Sequence, residues 1–149
     1  FTTPDVAFGG VICYESIDPS ITRTAASNGA ELLVMITNDS WFGSSAALRQ
    51  HLSHAVLRAV ETHRSLVRSG NSGITASVDA YGRIMGETEI NEQNTLLCSA
   101  AIYRDATLYS VVGDWPVAVS GFVLWIAAVI KAIFQRNSQQ CKRKTEAAE

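Results

Sequence analysis

Apolar residues fall into short runs near the start of the chain and one long run near its end. Residues 6–14 (VAFGGVICY) form a brief apolar block punctuated by Gly9 and Gly10, which predicts a buried strand ending at Cys13. Asp18-Pro19 predicts a helix start, because proline suits the first helical turn, and Asn28-Gly29 predicts its stop. Residues 31–37 (ELLVMIT) predict a second buried strand, with a loop over 38–43 at its C-terminal end. From about 45 to 68, Leu48, Leu52, Ala55, Val56, Ala59, His63 and Val67 recur at helical spacing and predict one long helix with that inner stripe. Glu61 and Arg64, three apart on another face, are expected to pair. Gly70-Asn71-Ser72-Gly73 should end this helix; a strand over 74–78, a turn over 79–82 and a hairpin partner over 83–87 follow. A polar loop over 91–94 and a final strand over 95–102 complete the pattern.

Strand, helix, strand, helix and hairpin together predict an α/β (α+β) fold, a sheet with helices packed on it. In such sheets the functional loops sit at the C-terminal ends of parallel strands, so 13–15 and 38–43 should share one rim. Residues 116–134 (PVAVSGFVLWIAAVIKAIF) are different in kind. Their length is close to the ~20 residues that cross a ~30 Å hydrocarbon core. The one charge, Lys131, lies near the end, where it can reach the interface, and Trp115 stands at the other border. The chain therefore divides into a domain over 1–114, a transmembrane helix over 115–134 and a basic tail over 135–149. Arg136, Lys142, Arg143 and Lys144 place that tail in the cytoplasm and the domain outside it.

Composition sharpens this reading. Of 149 residues, 47% are hydrophobic and 17% charged, which excludes a disordered chain. A net charge of −2 offers no basic surplus for nucleic acid. The start at Phe1, with an apolar strand almost at once, is expected of a piece of a longer protein. Cys13, Cys98 and Cys141 are odd in number and lack C-x-x-C spacing, which argues against a disulfide framework and a zinc site. Cys98 is expected to pack in its strand, and Cys141 to be a free or acylated thiol. His51 and His54, three apart, lack a third ligand, and His63 on the apolar stripe is expected to be a core histidine. No cofactor or metal is called for.

Cys13 is the residue with candidate chemistry. At the end of a buried strand a thiol sits where a substrate carbonyl can reach it, and its thiolate is the reactive form. Packing is the other use of such a cysteine. Glu15, two residues on, can line the same pocket if the chain turns there. Trp41 and Phe42, at the second rim loop, either contact an apolar substrate or bury under the long helix.

The segments Gly10-Val11-Ile12-Cys13-Tyr14-Glu15, Thr37-Asn38-Asp39-Ser40-Trp41-Phe42-Gly43 and Gln50-His51-Leu52, in this order, resemble the apolipoprotein N-acyltransferases of the nitrilase superfamily. So do Arg58-Ala59-Val60-Glu61, Arg64, Arg68, Asn71, Gly73-Ile74-Thr75-Ala76 and Gly113-Asp114-Trp115. The resemblance implies a nitrilase-type α-β-β-α sandwich, here its C-terminal half, and a Glu-Lys-Cys triad of which Cys13 alone lies in this chain. The base glutamate and the oxyanion-stabilising lysine are implied upstream of Phe1, with Glu15 in a supporting role and the Tyr14 backbone amide as an oxyanion donor. Asn38, Trp41 and Phe42 become substrate-binding candidates. The implied reaction moves an acyl chain from a membrane phospholipid through a Cys13 thioester to the N-terminal diacylglyceryl-cysteine of an apolipoprotein, at a bacterial inner membrane. A nitrilase-type amidase and a non-catalytic anchored binding domain are the competing functions.

Overall fold

The computed structural model describes residues 1–146. They form two compact units, Phe1–Val111 and a second that begins at Val112. In the first, strands β1 (Phe8–Ile12), β2 (Leu32–Asn38), β3 (Ser65–Asn71), β4 (Ala76–Val78) and β5 (Ile84–Glu87) lie side by side in chain order. β1, β2 and β3 are parallel, and β4 and β5 return antiparallel. Helices α1 (Pro19–Ser27) and α2 (Ala47–Thr62) make the two parallel crossovers.

Alternation along the strands decides which face the helices take. Val11, Leu33, Met35 and Leu66 point one way and are buried with Ala55 and Ala59 of α2. Gly9 belongs to that face, where a β-carbon would stand 2.8 Å from the Cβ of Ala25. Glycine there lets α1 lie directly against β1. The opposite face carries Ile12 and Ile36, 59% and 54% exposed at the β1–β2 side. The fold is thus one sheet under one helix layer.

Local signals explain several boundaries. Asp18 accepts the Ser20 amide at 2.8 Å and caps α1, whose first residue is Pro19. Gly29, at φ +90°, supplies the left-handed turn after it. In the hairpin, Gly82 at φ +81° closes the turn between β4 and β5.

Two elements depart from the pattern-based expectation. The long helix stops at Thr62, not near residue 68, because His63 adopts a left-handed conformation at φ +50°. Residues 65–71 are instead β3, paired with β2 on one side and β4 on the other. Arg64 replaces a glycine cap: its guanidinium donates to the carbonyls of Thr62, His63, Ala30 and Asp105. Burial pulls the Arg64 pKa below its ordinary value, against the pull of Asp105 and Glu31. Glu61 pairs with Arg58 at 2.7 Å, not with Arg64. His63 is no core histidine; it is half-buried, bonded to Asp105 at 2.5 Å and packed against Tyr81 and Tyr103.

The second departure is 95–102, which forms no sheet ladder. It runs extended over the second face at the β3–β5 side, where it buries Ser65 and Ser77. The Ser65 hydroxyl donates to Ala101 O at 2.7 Å, and Leu96 sits over Gly86. Its alternating exposure is that of a strand, but its contacts run through side chains. Cys98, half-buried, lies in this extended segment.

The second unit holds α4 (Trp115–Glu146), preceded by the short α3 (Leu108–Val112) at the boundary. Trp115–Ile133 is long and apolar enough to cross a membrane, with mean hydropathy 2.0. The helix continues past the apolar run to Glu146, so most of the basic tail is helical as well. The side chain of Cys141 and residues 147–149 lie outside the described residues.

Candidate active site

β1 delivers Cys13 to the C-terminal edge of the parallel strands and then turns sharply. Ile12 is still extended, at φ −111° and ψ 115°, whereas Cys13 has φ +50° and opens a 3-10 turn running to Ile17. A left-handed non-glycine residue is strained by about 1–2 kcal/mol, and it persists only where its surroundings hold it. Several contacts do so. Glu15 Oε2 accepts the Ile12 amide at 2.8 Å, and the Ser16 hydroxyl donates to Cys13 O at 3.1 Å. From α2, His51 Nε2 lies 3.2 Å from Cys13 O, and Arg58 Nη1 donates to Ser16 O and Ile17 O at 3.1 and 3.0 Å. His51 and Arg58 are seven residues apart, two helical turns, and so grip the turn from one helix face. The Cys13 thiol is free and half-buried.

Glu15 is therefore exposed and bound to the elbow's own backbone. The amide of Tyr14 belongs to the first turn of the 3-10 segment, where helical amides have no acceptor within the helix. The Tyr14 ring packs against Phe42 and His51, with centroids 6.1 and 5.4 Å away.

The second rim loop follows β2. Asn38 Oδ1 accepts the Ser40 amide at 3.2 Å and Asn71 Nδ2 at 3.4 Å, joining the ends of β2 and β3. Trp41 and Phe42 separate in the 3-10 turn Ser40–Phe42. Trp41 is 84% exposed, while Phe42 turns inward onto the cluster of Leu48, Leu52, Ile74 and Ala76. Of the two, Trp41 is the ring left open at the rim. A polar depression of about 480 Å³, lined among others by Asn71, Thr75 and Asn94, opens at the same strand ends.

Below the rim lies a buried charge cluster that sequence patterns alone do not reveal. Asp39 is 1% exposed, His51 3% and Arg68 0%. Asp39 Oδ1 accepts from the Thr37 hydroxyl at 2.8 Å and contacts His51 Nδ1 at 2.9 Å; Oδ2 accepts from Arg68 Nη2. Burial draws the Arg68 pKa below its ordinary value, and the charge of Asp39, its hydrogen bond and the nearby Cys13 sulfur act against that shift. Arg68 Nε and Nη1 are buried without a hydrogen-bond partner. Cys13 stands just after β1, Asp39 just after β2, Arg68 on β3 and His51 on α2, so the cluster joins all the elements that carry the rim.

Gly73 is tied to this cluster. A β-carbon there would stand 2.2 Å from Asp39 Oδ2 and 2.7 Å from its Cβ. Asp39 cannot yield, because both carboxylate oxygens are engaged. Gly73→Ala is expected to lower stability by about 1–3 kcal/mol, the usual range for overpacking, and more if the Arg68 pair breaks. Chemical denaturation of the two proteins measures the difference. An unchanged midpoint would show that the loop moves freely away from Asp39.

An α-layered sheet with a cysteine elbow at the end of a parallel strand defines the class. The carbon-nitrogen hydrolase family pattern matches residues 1–107, and the chain belongs to that family. It is 40% identical over 134 residues to the apolipoprotein N-acyltransferase of Geobacter metallireducens, covering 87% of this chain and 25% of that one. It is 46% identical over 88 residues to that of Bdellovibrio bacteriovorus, covering 59% of this chain and 16% of the relative. The chain thus spans a quarter or less of the length of these relatives. Among solved structures, a carbon-nitrogen hydrolase from Helicobacter pylori G27 has the same fold, with TM-score 0.56, 15% identity and 61% and 39% of the two chains covered. An amidase from Nesterenkonia sp. AN1 aligns with TM-score 0.52 and 21% identity over 61% of this chain and 38% of its own.

Proposed function

We propose that this chain carries the nucleophile of an apolipoprotein N-acyltransferase, acting at a bacterial inner membrane. The observation that carries the reading is Cys13, held left-handed at the end of β1, with Trp41 exposed on the neighbouring rim loop, in a chain 40% identical to a relative of that name. In the first step Cys13 Sγ attacks an ester carbonyl of a phospholipid. The thiol proton passes to a base, the C–O bond breaks, and a lysophospholipid leaves as the protonated alcohol. In the second, the free α-amino group of a diacylglyceryl-cysteine attacks the thioester, the C–S bond breaks, and the thiol is restored. The Tyr14 amide serves as an oxyanion donor in both steps, a group whose loss costs about 10²–10³ in rate. The base glutamate and a lysine come from the part of the protein preceding Phe1, and Glu15 supports the elbow. Asn38 and Trp41 are the substrate contacts, Trp41 with acyl chains, and Phe42 shapes the wall behind Tyr14.

Substrates with lipid tails favour a site tethered to a bilayer. Trp115–Ile133 would span about 28 Å as a helix, close to the ~30 Å hydrocarbon core. With Arg136 and Lys142 to Lys144 on the cytoplasmic side, the domain over 1–114 faces away from the cytoplasm. The test incubates membranes containing the complete protein with isotope-labelled phospholipid and a peptide bearing an N-terminal diacylglyceryl-cysteine. The expected product is the peptide heavier by one labelled acyl chain. Release of labelled fatty acid with no acylated peptide would mark a hydrolase instead.

A further inference from the structure

We infer that His51 is a positioning residue that orients and strengthens the oxyanion-donating amide of Tyr14 by holding the other end of the same peptide unit. The inference rests on Cys13 being the acyl-accepting nucleophile. The Cys13–Tyr14 peptide is trans, so its carbonyl and its N–H point in opposite directions. His51 Nε2 lies 3.2 Å from that carbonyl oxygen, and the Ser16 hydroxyl donates to it at 3.1 Å. Fixing the carbonyl from the helix side fixes the plane of the peptide, and with it the direction in which the Tyr14 N–H faces substrate. The effect is more than steric. A hydrogen bond accepted by an amide oxygen polarises the unit and makes its N–H a better donor, the cooperativity expected of chained hydrogen bonds in a low dielectric.

The proton needed for this contact is fixed by geometry. A peptide carbonyl only accepts, so Nε2 must carry hydrogen. Nδ1 stands 2.9 Å from Asp39 Oδ1 and 3.3 Å from Arg68 Nη2. When Nδ1 accepts from Arg68 Nη2, the neutral ring carries its hydrogen on Nε2. When Nδ1 donates to Asp39, it is the imidazolium, with hydrogen on both nitrogens, that donates to Cys13 O. Asp39, itself held by Thr37 and Arg68, locks the ring's orientation. The ring is 3% exposed, so water does not compete for it. Arg58, two helical turns on, secures the carbonyls of Ser16 and Ile17 in the same manner. Helix α2 thus holds the carbonyl side of the elbow and leaves its amide side to the substrate.

The test uses the complete protein in detergent with a p-nitrophenyl acyl ester, which acylates Cys13 as p-nitrophenolate departs. His51→Leu removes the donor, and His51→Gln places an amide N–H near the site of Nε2. The Leu variant should acylate about 10–100-fold more slowly with a nearly unchanged KM, less than the loss of a whole oxyanion donor. The Gln variant should recover most of the rate. Infrared spectra of the ¹³C-labelled thioester should show its carbonyl stretch at higher frequency in the Leu variant, where the oxyanion contact is weaker, and near the wild-type position in the Gln variant. Wild-type rates and an unshifted carbonyl in His51→Leu would overturn the inference, as would a Gln variant as slow as Leu. Should the Leu variant fail to fold, the Gln rate and its carbonyl frequency decide alone. A wild-type protein that acylates from the ester but transfers nothing to a lipopeptide removes the transfer reading and leaves this one standing.

Discussion

Replacing Cys13 with alanine or serine in the complete protein should abolish acyl transfer while membrane insertion and the melting temperature stay close to wild type. The side chain is half-buried and takes part in no hydrogen bond that shapes the elbow; the backbone contacts at Cys13 O and Ile12 N do that and survive substitution. Losing a covalent nucleophile typically removes several orders of magnitude in rate. Serine keeps the geometry, but its hydroxyl is far harder to ionise than a thiol. Mass spectrometry after incubation with phospholipid should find the acyl group on the peptide containing Cys13. An acyl group on Cys98, or on no cysteine, would remove the covalent mechanism.

The largest effect on stability is expected at Asp39. Asp39→Ala leaves the Arg68 guanidinium fully buried without its carboxylate, with Nε and Nη1 already unpartnered and only the neutral His51 Nδ1, 3.3 Å from Nη2, left to accept. Breaking one side of a buried pair costs about 3–5 kcal/mol because the remaining charge stays desolvated. A double variant, Asp39→Leu with Arg68→Met, removes both charges and should be less destabilised than Asp39→Ala alone. Denaturant midpoints of the wild type, Asp39→Leu, Arg68→Met and the double variant measure the coupling. Additive effects would mean that the pair contributes little and that solvent reaches Arg68. Acylation should fall in the variants that replace Asp39, since Asp39 also holds His51.

Much of this was written locally in the chain. Pro19, Asn28-Gly29 and Asp79-Ala80-Tyr81-Gly82 act within one or two turns, so α1 and the β4–β5 hairpin fall where these residues put them. Cys13 and the loop after β2 were legible because parallel strands end at one rim. The break after Thr62 was not. His63 takes a left-handed conformation that glycine usually supplies, and Leu66 and Val67 continue the apolar spacing, so β3 hid in the tail of a helix. That misreading also concealed Arg68, a lone charge inside the apolar run SLVRS and the one visible sign of a buried pair. The Asp39–His51–Arg68 cluster joins positions 12, 17 and 29 residues apart, and only tertiary pairing of β2 with β3 brings them together. Residues 95–102 show the opposite failure. Their alternation reports one covered side, but the cover is a sheet face and not a neighbouring strand.

The left-handed Cys13 also bears on how such a chain would age in evolution. Glycine or asparagine adopts that backbone with less strain than cysteine, so mutation toward either would stabilise the elbow by up to about 1 kcal/mol. Most substitutions that a population samples erode stability, and one that improves it spreads readily when nothing opposes it. A gene copy freed from the need for acyl transfer would therefore drift to glycine at position 13 early, before the buried cluster beneath it decayed. On the function proposed above, cysteine at φ +50° is kept against that drift by the use made of its sulfur.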